Sequence, residues 1–478
     1  MKKTKIVATI GPATRELKTI EELALAGLDV CRLNASFGTH QEHKKTIQTI
    51  RTASDNINKS IGLLMDLQGP KIRVGKLNNP VEVHNGDTII LSGNREHNEE
   101  KTIPTTYEKI ASDTEDGKQI LLADGHISLE VIKTKSSEKS VVCKVIKGGT
   151  IYTGKGINLP YTKISLQAMT EKDCLDAIFA MRQNVDYIGL SFVRKPQDLA
   201  PLKELMRREK RKIPIIAKIE KPEALDNLDA ILDEVDGVMV ARGDLAVELS
   251  FARVPVLQKE ILHRANRKGK LTIVATEMLN SMIENPLPTR AEASDVANAV
   301  FDGTDAVMLS NETSIGKFPL LAVKAMNEIV TETEKSFNKD YYQQHKAQFP
   351  EIHELTDAMC ASASFLASYL NEKAVIIISH NGGSAKNLSK YRPDSMIIAG
   401  TFNTDAFHRM ALYHNVYPVL LDKELFKDEE VAENAVESMI YFVKNKKLVQ
   451  KDDNLVFLTG NVKANGWKVN NIKVVKVT

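Results

Sequence analysis

Short apolar runs recur along the chain, and amphipathic stretches with helical spacing lie between them. This alternation predicts a parallel sheet covered by helices. Eight runs stand out: Lys5–Ile10, Leu28–Leu33, Ile61–Met65, Asp186–Leu190, Ile213–Ile219, Gly237–Ala241, Leu271–Ala275 and Asp305–Leu309. Ile20–Ala26 and Glu292–Phe301 are examples of the intervening helices. Eight strands in this order predict a (β/α)8 TIM barrel of the α/β class rather than an open sheet. Nearly every run ends in reactive side chains: Arg32, Asn34 and Ser36; Asp66; Lys218 and Glu220; Arg242 and Asp244; Thr276; Ser310 and Glu312. In barrels of this kind the active site sits at that C-terminal rim.

The third run is separated from the helix starting near Thr170 by about ninety residues, too long for an unstructured loop inside a compact domain. Val81–Val83, Thr88–Leu91, Gln119–Leu122, Ile127–Ile132 and Ser140–Ile146 read there as strands, with Asn85-Gly86 and Asp124-Gly125 as hairpin turns. The expectation is a small inserted β-barrel domain at 71–158, with the main barrel formed by 1–70 and 159–344. After a charged helical connector ending near Gln344, apolar runs at Ala374–Ile378, Met396–Gly400, Val416–Leu421, Asn454–Leu458 and Ile472–Val477 alternate with helices. They predict a smaller C-terminal α/β domain at 345–478. No repeat of solenoid length and no low-complexity tract interrupts this plan.

With 64 Lys and Arg against 62 Asp and Glu, the net charge of +2 argues against a dedicated nucleic-acid binder or a protein of anionic membrane surfaces. No run approaches the roughly 20 apolar residues that span a bilayer. Cys31, Cys143, Cys174 and Cys360 are widely spaced in a chain of 478 residues that does not need disulfide staples. Reduced thiols and a cytoplasmic location are expected.

In Ile215-Ile216-Ala217-Lys218-Ile219-Glu220 a lysine and a glutamate two apart at a strand end point to the same side. Alone they would read equally as a strand-end salt bridge. The next run adds Arg242-Gly243-Asp244, whose carboxylate flanks the first from a neighbouring strand. Two carboxylates are the usual protein share of a Mg2+ site that takes its other oxygens from water and substrate, so Glu220 and Asp244 are the candidate metal ligands. Arg242-Gly243-Asp244 also reads as the start of a helix able to receive an anion, against an ordinary glycine turn. Arg32, Asn34 and Ser36 fall on one side if the strand stays extended, suiting a phosphoryl group and a weakly held cation; a polar helix cap is the alternative. Gly149 through Lys155 lacks the Ser or Thr that a P-loop needs after its lysine, Gly156 standing there instead. Asn381-Gly382-Gly383-Ser384 follows a strand and opens a helix, where either a phosphate nest or a plain loop fits. His126 and His408 have no partner legible in the sequence.

Over essentially its whole length the chain resembles the pyruvate kinases. The resemblance is carried by Lys5 through Pro12, Met65 through Arg73, Met239 through Glu248, Ala275 through Met282, Pro288 through Glu292 and Ser294 through Val300. It implies a barrel with a β-lid after the third strand and a C-terminal regulatory domain. It also implies transfer of a phosphoryl group from phosphoenolpyruvate to ADP, as in the last step of glycolysis, with Mg2+ or Mn2+ as cofactor and a homotetrameric assembly. By the same resemblance, Arg32, Lys218, Gly243, Asp244 and Thr276 contact substrate, and Ser310 and Glu312 lie on the proton-delivery side. Arg73, Asn34 and Lys155 face the nucleotide, and Asn34, Ser36, Asp66 and the Leu67 carbonyl occupy the monovalent-cation positions.

The chain differs from the best-known members in Leu67-Gln68-Gly69-Pro70-Lys71, which resembles the bacterial, potassium-independent branch. An ammonium on Lys71 can supply the positive potential that K+ would otherwise give, so activity without K+ is expected. Ala35 and Phe37 replace the usual Phe and His, and Asn311 stands for the usual Gly or Ala. The effector segment, Ser379, Asn381, Gly382, Gly383 and Ser384 with Trp467 and Lys468, lacks the arginine of the family's bisphosphate sites. A sugar monophosphate, a nucleoside monophosphate or no effector at all fits the segment. A metal-dependent aldolase or lyase on a similar barrel is the rival reading, but it has no use for ADP, Arg73 or a lid.

Overall fold

The computed structural model describes residues 2–94, 101–160, 162, 164–337, 354–370, 372–422, 431–463 and 466–477, with backbone only for 431–435 and 461–468. Eight parallel strands, Lys5–Thr9, Val30–Asn34, Gly62–Asp66, Tyr187–Leu190, Ile215–Ile219, Gly237–Ala241, Leu271–Ala275 and Ala306–Leu309, close in sequence order. The first pairs with both the second and the last. Strands covered on both faces read as continuous apolar runs, which is why the sequence pattern exposes them. Alternate residues divide between two cores: Ile6, Ala8, Leu63, Met65, Ile215 and Ala217 pack outward under the helices. Val7, Leu64, Ile216 and Met239 face inward, in a core that continues into Val375, Ile397 and Leu412 of the C-terminal domain. The barrel floor and that domain therefore share one apolar interior.

The helices run slightly beyond the predicted spans, as Leu17–Ala26 and Arg290–Phe301. Thr170 and Thr289 start helices Glu171–Arg182 and Arg290–Phe301 with reciprocal capping boxes through Asp173 and Glu292. The connector is helical over Pro319–Lys335, and its predicted end near Gln344 lies outside the described residues.

The insert is the expected small barrel. Its strands form a six-stranded sheet and a two-stranded sheet around one apolar core, and the segment Ile72–Gly75 closes the larger sheet by bonding to both of its edges, at Lys155–Ile157 and at Pro104–Thr106. Asp124-Gly125 makes the predicted hairpin, joining Gln119–Leu122 to Ile127–Lys135. Asn85-Gly86 does not: Val81–Val83 pairs with Gly149–Ile151, while Thr88–Ser92 joins the other sheet. The dipeptide makes the turn, held by Asp87 N–H on the His84 carbonyl, but a turn signal cannot choose between sheets. Thr102–Pro104, Gly149–Ile151 and Ile157–Asn158 are further strands too short to stand out.

The C-terminal sheet has five strands in the order Val416–Leu420, Met396–Thr401, Ala374–Ile378, Asn454–Lys463, Gly466–Lys476. The last is antiparallel and begins six residues before the predicted Ile472, in a hairpin with no helix between. Strict strand–helix alternation thus fails at the end of the chain.

Candidate active site

The rim residues converge because parallel strands end at one level and the register fixes which side chains meet. Arg32 and Asp66 lie on the adjacent second and third strands, with Leu64 the backbone partner of Arg32 and Asp66 that of Asn34. Arg32 Nε donates to Asp66 Oδ2 at 2.8 Å and Arg32 Nη1 to Thr9 Oγ1 at 2.9 Å, so the guanidinium is clamped from two strands. Asp66 is 1% exposed, and its Oδ1 has no hydrogen-bond partner among the described residues.

Lys218 enters from the fifth strand. Its Nζ lies 2.9 Å from Glu220 Oε1 and 3.5 Å from Asp66 Oδ1, and it donates to Ser191 Oγ at 2.8 Å. The two-residue spacing thus places Lys218 and Glu220 on one side, as predicted. Burial alone would lower the Lys218 ammonium, but Asp66 and Glu220 outweigh it and hold the group well above its ordinary value. Burial raises the Glu220 carboxyl; Lys218 opposes that rise and Asp244 adds to it. For Asp66 the attractions of Lys218 and Arg32 overcome desolvation, and its carboxyl is lowered. Lys218 is therefore a permanent cation at the foot of the site.

Glu220 Oε2 accepts from Phe192 N–H at 2.9 Å, while the buried Oε1 meets the Lys218 ammonium at 2.9 Å. A buried carboxylate whose charge is opposed by a second carboxylate fits a divalent cation shared by Glu220 and Asp244. Among the described residues no cluster of three His, Cys, Asp or Glu side chains forms a denser metal site. Asp244 sits on helix Arg242–Glu248 beside Gly243, whose N–H is not free: it donates to Thr276 Oγ1 at 2.8 Å. The anion-receiving helix start is thus partly occupied by the hydroxyl expected to touch substrate. Thr276 and Glu277 both take left-handed backbone, at φ 72° and 55°, directly after the seventh strand. Arg242 turns aside to Asp295 and the Thr276 carbonyl.

Asn34 and Ser36 do not share an extended strand. The strand ends at Asn34, whose Oδ1 accepts from Ser36 N–H at 3.0 Å, turning the chain there. The Leu67 carbonyl accepts from Ser191 Oγ at 2.7 Å. Lys71 Nζ lies 3.7 Å from Asp124 of the insert and 3.9 Å from Asp244 Oδ1, between lid and rim. Arg73 donates to the Gly154 carbonyl, and Val74 N–H to that of Lys155, so Arg73 and Lys155 are neighbours on the insert. Glu312 is buried with both oxygens taken, by Leu279 N–H and Ser310 N–H, and it braces the turn that carries Ser310. Phe37 is 73% exposed.

In the C-terminal domain Gly382 (φ 83°) leads into helix Gly383–Lys390, and Asn381 Oδ1 accepts from Gly383 N–H. Ser379 is buried and its hydroxyl has no partner among the described residues. Ser384 opens the helix beside them, whereas the side chains of Trp467 and Lys468 lie outside the described residues. His408 is packed at the barrel floor, its Nδ1 without a hydrogen-bond partner among the described residues.

Sequence reasoning missed Ser191, Phe192 and Thr9. The first two follow the fourth strand directly and Thr9 ends the first, the two rim positions from which no candidate residue was drawn.

Residues 1–323 match the family model "Pyruvate kinase, barrel domain" and residues 357–475 match "Pyruvate kinase, alpha/beta domain". The chain is 43% identical over 424 residues to pyruvate kinase 2 of Synechocystis, covering 88% of this chain and 71% of that one. It is 41% identical over 421 residues to a pyruvate kinase of Staphylococcus aureus, covering 88% and 72%. Among solved structures, a pyruvate kinase from Cryptosporidium parvum superposes with a TM-score of 0.93 at 33% identity, covering 100% of this chain and 96% of that one.

Proposed function

The chain belongs to the pyruvate kinase family and is a phosphotransferase, and from that premise we propose that it moves a phosphoryl group from phosphoenolpyruvate to ADP, giving pyruvate and ATP. The observation that carries this reading is the cation cluster at the rim: Lys218 and Arg32 face one space, each backed by Asp66. A transferring phosphoryl group spreads negative charge over its oxygens, so catalysis is positioning plus neutralisation by groups already in place. Two of the Arg32 N–H groups are spent on Asp66 and Thr9 and Nη2 also lies against Asp66, which fixes the plane of the guanidinium and leaves the rest for phosphoryl oxygens. Lys218, anchored by Ser191, neutralises the moving group.

Mg2+, or Mn2+ in its place, held by Glu220 and Asp244, would supply a Lewis acid for the substrate carboxylate and enol oxygen. Thr276 accepts from Gly243 N–H and so keeps its own proton for a substrate oxygen. Ser310 stands on the side from which the enolate would be protonated, its turn held by Glu312. Arg73 and Lys155, with Asn34 opposite, receive the nucleotide phosphates as the insert, 71–158, closes over the barrel formed by 1–70 and 159–344. Closure excludes the water that would otherwise hydrolyse the phosphoryl group.

The reaction needs no K+ in this reading. Asp66 is already balanced by two cations, and Lys71 adds a third beside Asp244. In the regulatory domain, 345–478, the orphaned Ser379 hydroxyl and the turn at Asn381-Gly382-Gly383 support capture of a phosphate monoester effector. Exposed Phe251, Val256 and Leu287 on the barrel suit burial in a homotetramer. No described helix is long and apolar enough to cross a membrane, and a cytoplasmic enzyme is proposed. The test is pyruvate release from phosphoenolpyruvate, ADP and Mg2+ in potassium-free buffer: turnover that requires ADP supports the reading, and release without ADP returns it to a lyase.

A further inference from the structure

A buried polar cluster behind the site has no part in the chemistry so far. Lys221 Nζ donates to Glu248 Oε1 at 2.6 Å, and Asn158 Nδ2 donates to the same oxygen at 2.8 Å. All three residues are buried, with exposures of 7%, 1% and 6%. Among the described residues Asn158 Oδ1 has no partner, and the adjoining cavity between Lys71, Ile157, Phe192 and Lys221 holds about 30 Å3, room for one water. Burying an ion pair is expensive, and apolar residues of similar volume would often be as stable, so its placement asks for a reason.

The placement supplies one. Lys221 follows Glu220 directly, and Glu248 lies one helical turn after Asp244 on the same helix face. Asn158 belongs to the last strand of the insert, paired with Leu121 of its larger sheet. Each member is thus one step from a metal carboxylate or from the lid. Lys221 also lies 5.9 Å from the ring of Phe192, the residue whose N–H holds Glu220 Oε2. We propose that Asn158, Glu248 and Lys221 are positioning residues that tie the seat of the insert to the spacing of the Glu220 and Asp244 carboxylates, so that lid position and metal affinity change together. The inference rests on the phosphotransferase reading and extends it to how the lid is sensed.

The test uses the full chain and Mn2+ as probe, its binding followed by electron paramagnetic resonance without turnover, beside KM for ADP and for phosphoenolpyruvate. Asn158→Ala cuts only the tie to the insert and leaves the buried ion pair whole. It should weaken Mn2+ about tenfold, the lower end for groups that hold a metal ligand from behind, and raise KM for ADP more than KM for phosphoenolpyruvate. Lys221→Met with Glu248→Met replaces the pair by apolar side chains, and in that background Asn158→Ala should have no further effect. Unchanged Mn2+ affinity in Asn158→Ala overturns the proposal, as does a lowered Tm with metal affinity intact. An Asn158→Ala effect that persists undiminished in the double variant overturns it too. Absence of ADP-dependent turnover in the unmodified protein would instead strike the phosphotransferase reading, and normal turnover with an inert triad would strike this inference alone.

Discussion

Replacing Lys218 by Met removes a charge while keeping most of its length and its apolar stem. In the structure that charge stands 3.5 Å from Asp66 and 2.9 Å from Glu220. A phosphoryl oxygen taking a similar place, about 3.5 Å from the ammonium, gains about 5 kcal/mol at an effective dielectric of about 20. Loss of that term in the transition state predicts a fall in kcat of roughly 10³ to 10⁴, each 1.36 kcal/mol being about tenfold. The metal should behave oppositely. Lys218 competes with a cation for Glu220, so Lys218→Met should bind Mn2+ at least as well as the parent at pH 8. At lower pH the variant should lose the metal sooner: burial already raises Glu220, and Lys218 is the group that opposes the rise. The assays are steady-state turnover and Mn2+ titration at two pH values, with circular dichroism to confirm folding. Near-normal kcat would refute the electrostatic role of Lys218, and loss of Mn2+ binding at pH 8 would refute its separation from the metal ligands.

Lys71→Glu places a carboxylate near Asp244 and Asp124, and activity should then require KCl; a variant indifferent to KCl refutes the charge-substitution argument. Gly189→Ala brings a methyl group to 3.1 Å from Asp66 Oδ1, and the displaced carboxylate should misplace Arg32 and Lys218. Its kcat should fall about tenfold or more, in line with the cost of small misplacements, with little change in Tm; unchanged kcat would show that Asp66 need not be fixed. Burial lowers His408 from 6.5 to about 3, so the unfolded chain takes up this proton first as pH falls. The stability present above pH 6.5 is therefore lost on acidification, by about 3 kcal/mol at pH 4.5 from this residue. Urea unfolding at pH 7 and 4.5 should show a shallower decline for His408→Gln, and parallel declines would exclude His408 as the cause.

The barrel was legible because each strand is a short run buried on both faces, so hydrophobicity alone marks it. The candidate site was legible for a related reason: Lys218, Glu220, Asp244 and Asp66 are charged residues at the ends of apolar runs, where charge is conspicuous. Ser191 and Thr9 escaped because a hydroxyl at or just past a strand end is common, and only the structure shows that one meets Lys218 and the other Arg32. Asn85-Gly86 misled because local turn chemistry says nothing of which strand lies beyond it. The final hairpin was underestimated because Gly466 through Asn471 carries only Trp467 and Val469 among polar residues and glycine, and its pairing with Asn454–Lys463 is what makes it a strand. Lys221 and Glu248 are 27 positions apart, and nothing in a linear pattern joins them.

The ring closure has a consequence for how the protein comes into being. Thr9, which steadies Arg32, itself donates to the carbonyl of Leu309, about 300 residues later, and the first strand finds its second neighbour only in that last strand. A ribosome making the chain from its N-terminus must therefore extrude most of the barrel before the first strand can be sealed. The insert, contiguous and with its own apolar core, can fold meanwhile. Nascent chains stopped before Leu309 should carry a folded lid on an open, sticky half-ring and depend on chaperones, and protection of the lid from protease should precede the first trace of activity.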